Sequence, residues 1–188
     1  NTVGVIGAGT MGAGIAQVAA QAGCRVKLFD AREGAAAAAN AKTAETLNAL
    51  AAKGKINAES AAATISRLSA APDLADFHDC DLIVEAIVEN LDAKRTLFKS
   101  LEGICAASTV LATNTSSISI TAIAAGLARP ENVVGMHFFN PAPLMALVEV
   151  VMGQQTAPAV AGRVEAACAE WKKTAVRCKS TPGFIVNR

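Results

Sequence analysis

The chain has 188 residues, 17 basic against 16 acidic, and 52% of them are hydrophobic. That length and apolar fraction predict one well-buried globular domain and exclude disorder. A net charge of +1 with no basic run and 4% aromatics offers no nucleic-acid surface. No apolar stretch reaches the roughly 20 residues of a membrane-spanning helix, so no membrane partner is expected.

Residues Thr2 to Gly12 read TVGVIGAGTMG, an apolar run that breaks at Gly7, Gly9 and Gly12. A strand that turns through G-x-G-x-x-G into a helix holds a pyrophosphate. Gly7 permits the turn, Gly9 lets the backbone approach the phosphates, and Gly12 lets the helix pack on the strand. Thr10 and Met11 complete the loop at a helix N-terminus, where free N–H groups and the helix dipole favour anions. The small-residue helix ends at Gly23, and Arg25–Phe29 reads as a second strand ending at Asp30. An acid about 20 positions past the glycines is where an adenosine ribose is gripped. Asp30 accepts ribose hydroxyls and repels a 2′-phosphate, which favours NAD over NADP even with Arg32 two residues on.

Further along, Ala31 to about Lys53 and Ala58 to Arg67 read as crossover helices joined at Gly54-Lys55, and Arg67–Ala70 as a short strand. Asp81–Ala86 is a buried strand, Leu91–Leu101 an amphipathic helix, Thr109–Thr113 a strand and Ser119–Leu127 a helix. Asn132–His137 and Leu147–Val151 read as strands, Pro158 opens a helix to about Lys172, and Thr174–Cys178 is a last strand. Strands alternating with helices predict a Rossmann-like, doubly wound α/β fold. Its sheet is mostly parallel, with a helical excursion after the second strand. Cys24, Cys80, Cys105, Cys168 and Cys178 are odd in number and widely spaced, with no C-x-x-C pair. They read as small buried hydrophobes in a reducing compartment, with no zinc site expected. His78 reads as a surface loop residue and Trp171 as a packing anchor. The opening residues are expected to carry no signal peptide, and a cytoplasmic location is expected.

The C-terminal half carries the chemistry. His137 ends an apolar strand, at the sheet edge where ligands bind. Histidine titrates nearest neutrality and suits proton transfer from an alcohol. Glu149 sits inside the apolar run LVEVV and needs a partner. His137 is the candidate, because a carboxylate orients an imidazole base and stabilises its cation.

GAGTMG, VEAIVEN, NTSS, HFFNP and TPGFIVNR, in this order and spacing, resemble the L-3-hydroxyacyl-CoA dehydrogenase family from Thr2 to Arg188. The resemblance implies an NAD-binding domain that oxidises (S)-3-hydroxyacyl-CoA to 3-ketoacyl-CoA. It makes His137 the general base, with Glu149 its dyad partner. Ser116 would meet the substrate oxygen and the nicotinamide, and Asn187 would hold the reacting oxygen. Asn140 would approach the cofactor, and Glu89 and Lys94 would line its groove. Thr46 and Lys53, on the excursion, match the segment that reaches toward coenzyme A. Relatives continue into a helical domain that closes the cleft and makes the dimer. The chain is therefore expected to be the N-terminal domain of a longer homodimeric protein. Other readings stay open: a dehydrogenase of a free hydroxy acid of gulonate or carnitine type, a lysine-dependent dehydrogenase sharing the opening motif, and a non-catalytic NAD sensor.

Overall fold

The computed structural model describes residues 1–186. Eight strands form one sheet: β1 (Thr2–Ile6), β2 (Arg25–Phe29), β3 (Leu68–Ala70), β4 (Leu82–Glu85), β5 (Val110–Thr113), β6 (Val133–Phe138), β7 (Leu147–Met152) and β8 (Thr174–Lys179). Their order is β3-β2-β1-β4-β5-β6-β7-β8. Strands β1 to β6 pair in parallel, β7 runs antiparallel to β6, and β8 runs parallel to β7. The order reverses between β1 and β4, which opens a crevice at the carboxyl ends of those strands.

The helices are α1 (Thr10–Gln21), α2 (Ala35–Ala52), α3 (Ala58–Ser66), α4 (Leu91–Ile104), α5 (Ile120–Ala124) and α6 (Pro158–Glu170). They cover both sheet faces, so β1, β4, β5 and β6 are buried along their whole length and read as mostly apolar runs. One core lies under α1 and α6, around Val5, Ile15, Val134, Val148 and Trp171. The other lies under α4 and α5, around Phe77, Phe98, Ile120 and Phe184. Trp171 is buried and stacks on Phe138, and His78 is exposed.

The expected elements are present, with shifted ends. Helix α2 starts at Ala35, not Ala31, because Arg32 folds back onto Asp30 and Gly34 takes a left-handed turn. Helix α5 stops at Ala124, capped at its start by the Ser119 hydroxyl. Helix α6 ends at Glu170 because Lys172 turns left-handed, at φ 57°. Short 3-10 turns at Leu74–Phe77 and Pro130–Asn132 were not expected from the sequence.

Candidate active site

The glycine turn has the predicted geometry. Gly7 sits at φ 103°, and a Cβ there would lie 2.5 Å from the Ala86 carbonyl oxygen. A Cβ on Gly12 would lie 1.7 Å from the Gly7 oxygen, so only glycine lets α1 approach β1 this closely. A Cβ on Gly9 would meet nothing, leaving open space over the start of α1, which no side chain caps. Asp30, at the end of β2, accepts from the Ala8 N–H at 2.8 Å and from Arg32 through Nε at 3.1 Å and Nη2 at 3.3 Å. Above all the Arg32 hydrogen bond, with help from the Ala8 N–H, holds the Asp30 carboxyl at about 2. The pieces fit a dinucleotide: an uncapped helix N-terminus for the pyrophosphate and an ionised acid for the ribose hydroxyls. Thr10, Met11 and Gly12 form the first turn of that helix.

Farther along the sheet, the antiparallel register sets His137 opposite Glu149. Nδ1 of His137 is 2.7 Å from one Glu149 oxygen. The other Glu149 oxygen accepts from the Ile185 and Val186 N–H groups at 2.9 and 3.0 Å. Glu149 is 1% exposed, so a carboxylate there depends on these three donors. With Nδ1–H committed to the carboxylate, Nε2 is the nitrogen left to take a proton. The imidazole is flanked by Phe139, with ring centres 4.6 Å apart, and by Phe184, edge-on at 5.7 Å.

Between these two regions lies a second buried carboxylate. Glu85, at the end of β4, accepts from Lys94 Nζ at 2.6 Å, from the Ile87 N–H at 2.7 Å and from the Thr113 hydroxyl at 2.7 Å. Lys94 is 1% exposed; it lies beneath the groove rather than along its wall, and also reaches Glu89 at 3.3 Å. One Glu89 oxygen accepts from the Thr115 hydroxyl and from the Ser116 N–H at 2.9 Å and the Ser117 N–H at 3.3 Å. Burial opposes ionisation of Glu89, but the Thr115 hydroxyl and Lys94 outweigh it and hold its carboxyl below the usual value. The network fixes the Thr115–Ser117 loop and leaves Ser116 exposed at the sheet edge. Asn114 adds a tie, accepting from the Phe138 N–H at 2.8 Å.

The structure therefore gathers His137, Glu149, Ser116, Glu89 and Lys94 along the carboxyl edge, with Asn140 exposed just past β6. Thr46 lies apart on an exposed turn of α2 and Lys53 is exposed at its C-cap, and the Thr46 hydroxyl donates to the Lys42 carbonyl of its own helix. Asn187 lies outside the described residues. Sequence reasoning missed Glu85, although the run LIVE carries the same signal that exposed Glu149: an acid inside an apolar strand. It also missed Phe184, whose contact with His137 depends on how the chain folds back after β8. Among the described residues, no three His, Cys, Asp or Glu side chains group to hold a metal ion, and no helix is long and apolar enough to cross a membrane. Burial pushes the Cys80 and Cys168 thiols up to about 12, as fits small core residues.

Residues 2–181 match the family model described as 3-hydroxyacyl-CoA dehydrogenase, NAD binding domain. The chain belongs to this family. It is 50% identical to the 3-hydroxyadipyl-CoA dehydrogenase of Escherichia coli K12, over 100% of this chain and 39% of that protein. It is 44% identical to the 3-hydroxybutyryl-CoA dehydrogenase of Clostridioides difficile, over 98% of this chain and 66% of that protein. Among solved structures, the (S)-3-hydroxybutyryl-CoA dehydrogenase of Ralstonia eutropha superposes with a TM-score of 0.95 at 41% identity, covering 100% of this chain and 66% of that one. The chain thus spans 39% to 66% of these relatives' lengths. The NAD-binding domain expected from the opening motif is what the family match describes.

Proposed function

We propose that this chain is the NAD-binding and catalytic domain of a dehydrogenase that oxidises an (S)-3-hydroxyacyl-CoA to the 3-ketoacyl-CoA. The observation that carries the reading is the 2.7 Å pair between His137 and Glu149, on the same sheet edge as the glycine turn. Bound NAD supplies the acceptor for the hydride that leaves C3 of the substrate. His137 Nε2 takes the hydroxyl proton, which makes hydride departure easier. Glu149 stabilises the imidazolium that results. Ser116, exposed on a loop held by Glu89, donates toward the substrate oxygen. Asn187 is assigned a second hold on that oxygen, steadying the carbonyl as it forms. Asn140, Thr10 and Met11 are assigned to the cofactor, and Thr46 and Lys53 to the coenzyme A carrier, whose phosphates favour cations.

The relatives' extra length and the apolar surface near the dyad support a further helical domain that closes the cleft and pairs two subunits. Leu144, Ile185 and Val186 are 79%, 48% and 51% exposed. A domain seated there would exclude water from the reacting centre. We assign the protein to the cytoplasm, where Cys80 and Cys168 stay reduced.

The test is NADH formation by the full-length protein from (S)-3-hydroxybutyryl-CoA and from free (S)-3-hydroxybutyrate, with His137→Gln as control. Turnover of the thioester that vanishes in the variant is expected. Turnover of the free acid alone would move the substrate to the free hydroxy acids, and NADH binding without turnover of either would leave a cofactor-binding module.

A further inference from the structure

The connection from Phe139 to Ala146 joins the two strands that carry the dyad. Its backbone carbonyls converge on one side chain. Lys173 Nζ donates to the oxygens of Ala142 at 2.7 Å, Met145 at 2.8 Å and Pro143 at 3.4 Å. The Pro141 oxygen accepts from the Leu144 and Met145 N–H groups, and the Ala146 oxygen from the Thr174 N–H. An ammonium with three donors matches three carbonyls, and hydrogen bonds from a charged donor are stronger than neutral ones.

Lys173 is itself aimed. At the end of α6 the Lys172 N–H bonds the Ala169 oxygen and the Lys173 N–H bonds the Cys168 oxygen, the paired bonds of a Schellman helix end. That ending turns the chain and sends the Lys173 side chain under the connection. On its other side the connection leans on α1. A Cβ on Gly14 would lie 3.2 Å from both Ala142 and Pro143 side-chain atoms. Gly14 is two residues past the last glycine of the phosphate turn, so the connection borders the cofactor groove with Asn140 exposed at its start. Burial lowers the Lys173 ammonium from its usual value, as expected of a cation partly withdrawn from water.

We propose that Lys173 is a positioning residue: by gathering the carbonyls of the β6–β7 connection it holds Asn140 at the cofactor groove. This rests on the reading of that groove as the NAD site. The test is a double-mutant cycle of Lys173→Met and Asn140→Ala in the intact chain, reading NADH affinity by fluorescence. Lys173→Met is expected to weaken NADH binding about tenfold in the native background and less than twofold once Asn140 is alanine, since contacting or linked residues couple. Lys173→Gln, which keeps two donors, should recover part of the loss and serves if the methionine variant does not fold. Equal losses in both backgrounds, or unchanged affinity in Lys173→Met and Lys173→Gln, would overturn the positioning role while leaving the NAD site standing. Failure of the unmodified chain to bind NADH would remove the NAD site and this role together.

Discussion

Two carboxylates are buried inside the sheet, Glu85 at the end of β4 and Glu149 within β7, at 0% and 1% exposure. Each accepts three hydrogen bonds, one of them from a basic side chain; Glu85 takes the other two from the Ile87 N–H and the Thr113 hydroxyl, and Glu149 from the Ile185 and Val186 N–H groups. They differ in the partner. Lys94 is sealed beneath the groove with Glu85 and Glu89 as its partners, so the Glu85 pair is architecture: it holds β4, α4 and, through Glu89, the Ser116 loop. His137 is an imidazole with two ring nitrogens, and Glu149 engages only Nδ1. The same burial and the same saturation therefore serve as a brace at β4 and, in the proposed reaction, would serve proton transfer at β7.

Exchanging Glu149 for glutamine breaks the comparison most severely. The amide oxygen must face the Ile185 and Val186 N–H groups, because turning it away would leave two partly buried donors unmet. The amide NH2 then faces His137 Nδ1, which must accept, and the proton moves to Nε2. The base is lost while the geometry survives, so kcat should fall about 10⁴-fold with NAD affinity unchanged. Steady-state kinetics beside NADH titration check this.

Glu85→Ala should act on stability instead. It strands Lys94 with only Glu89 at 3.3 Å. Breaking a buried pair costs about 3–5 kcal/mol, or a Tm lowered by about 6–20 °C in a chain of this size. Calorimetry reads it, and an unchanged Tm would mean that the pair is not a brace.

Asp30→Ala tests the cofactor end. Arg32 loses its partner and the repulsion of a 2′-phosphate disappears, so the preference for NADH over NADPH should narrow about tenfold. In the unmodified chain the preference should hold as the pH falls to about 4. The Asp30 carboxyl is held at about 2 against about 3.9 in an unfolded chain. It stays ionised above that window, and its contribution to stability is lost only between the two values.

The smallest effect is Lys172→Gly. A side chain in the left-handed region costs about 1–2 kcal/mol, against about 0.5–1 kcal/mol for the extra freedom of glycine. The net gain should raise Tm by about 1–4 °C.

The site was legible where chemistry contradicts its surroundings. Glycines that interrupt an apolar run marked the tight strand-to-helix turn, and an acid in LVEVV paired with the histidine ending the strand before it. Register explains the success: β6 and β7 are antiparallel neighbours, so residues 137 and 149 meet directly. The fold was legible because apolar runs and glycine-ended helices alternate along the chain. What stayed hidden depends on distant segments coming together. Lys173 sits among ordinary surface-type residues, and nothing local says that three carbonyls some 30 residues earlier will close on it. Phe184 and the N–H groups of Ile185 and Val186 reach the dyad only after the chain has crossed β8.

The most direct measurement is the tautomer of His137, read by ¹⁵N NMR of the imidazole. The chain has 2 histidines, and His78 is exposed, so the two ring signals are separable. In its neutral form, His137 should carry its proton on Nδ1 in the native chain and on Nε2 in Glu149→Gln. A native chain with the proton on Nε2 would leave no basic nitrogen facing the substrate, and would contradict the account of His137 as the base.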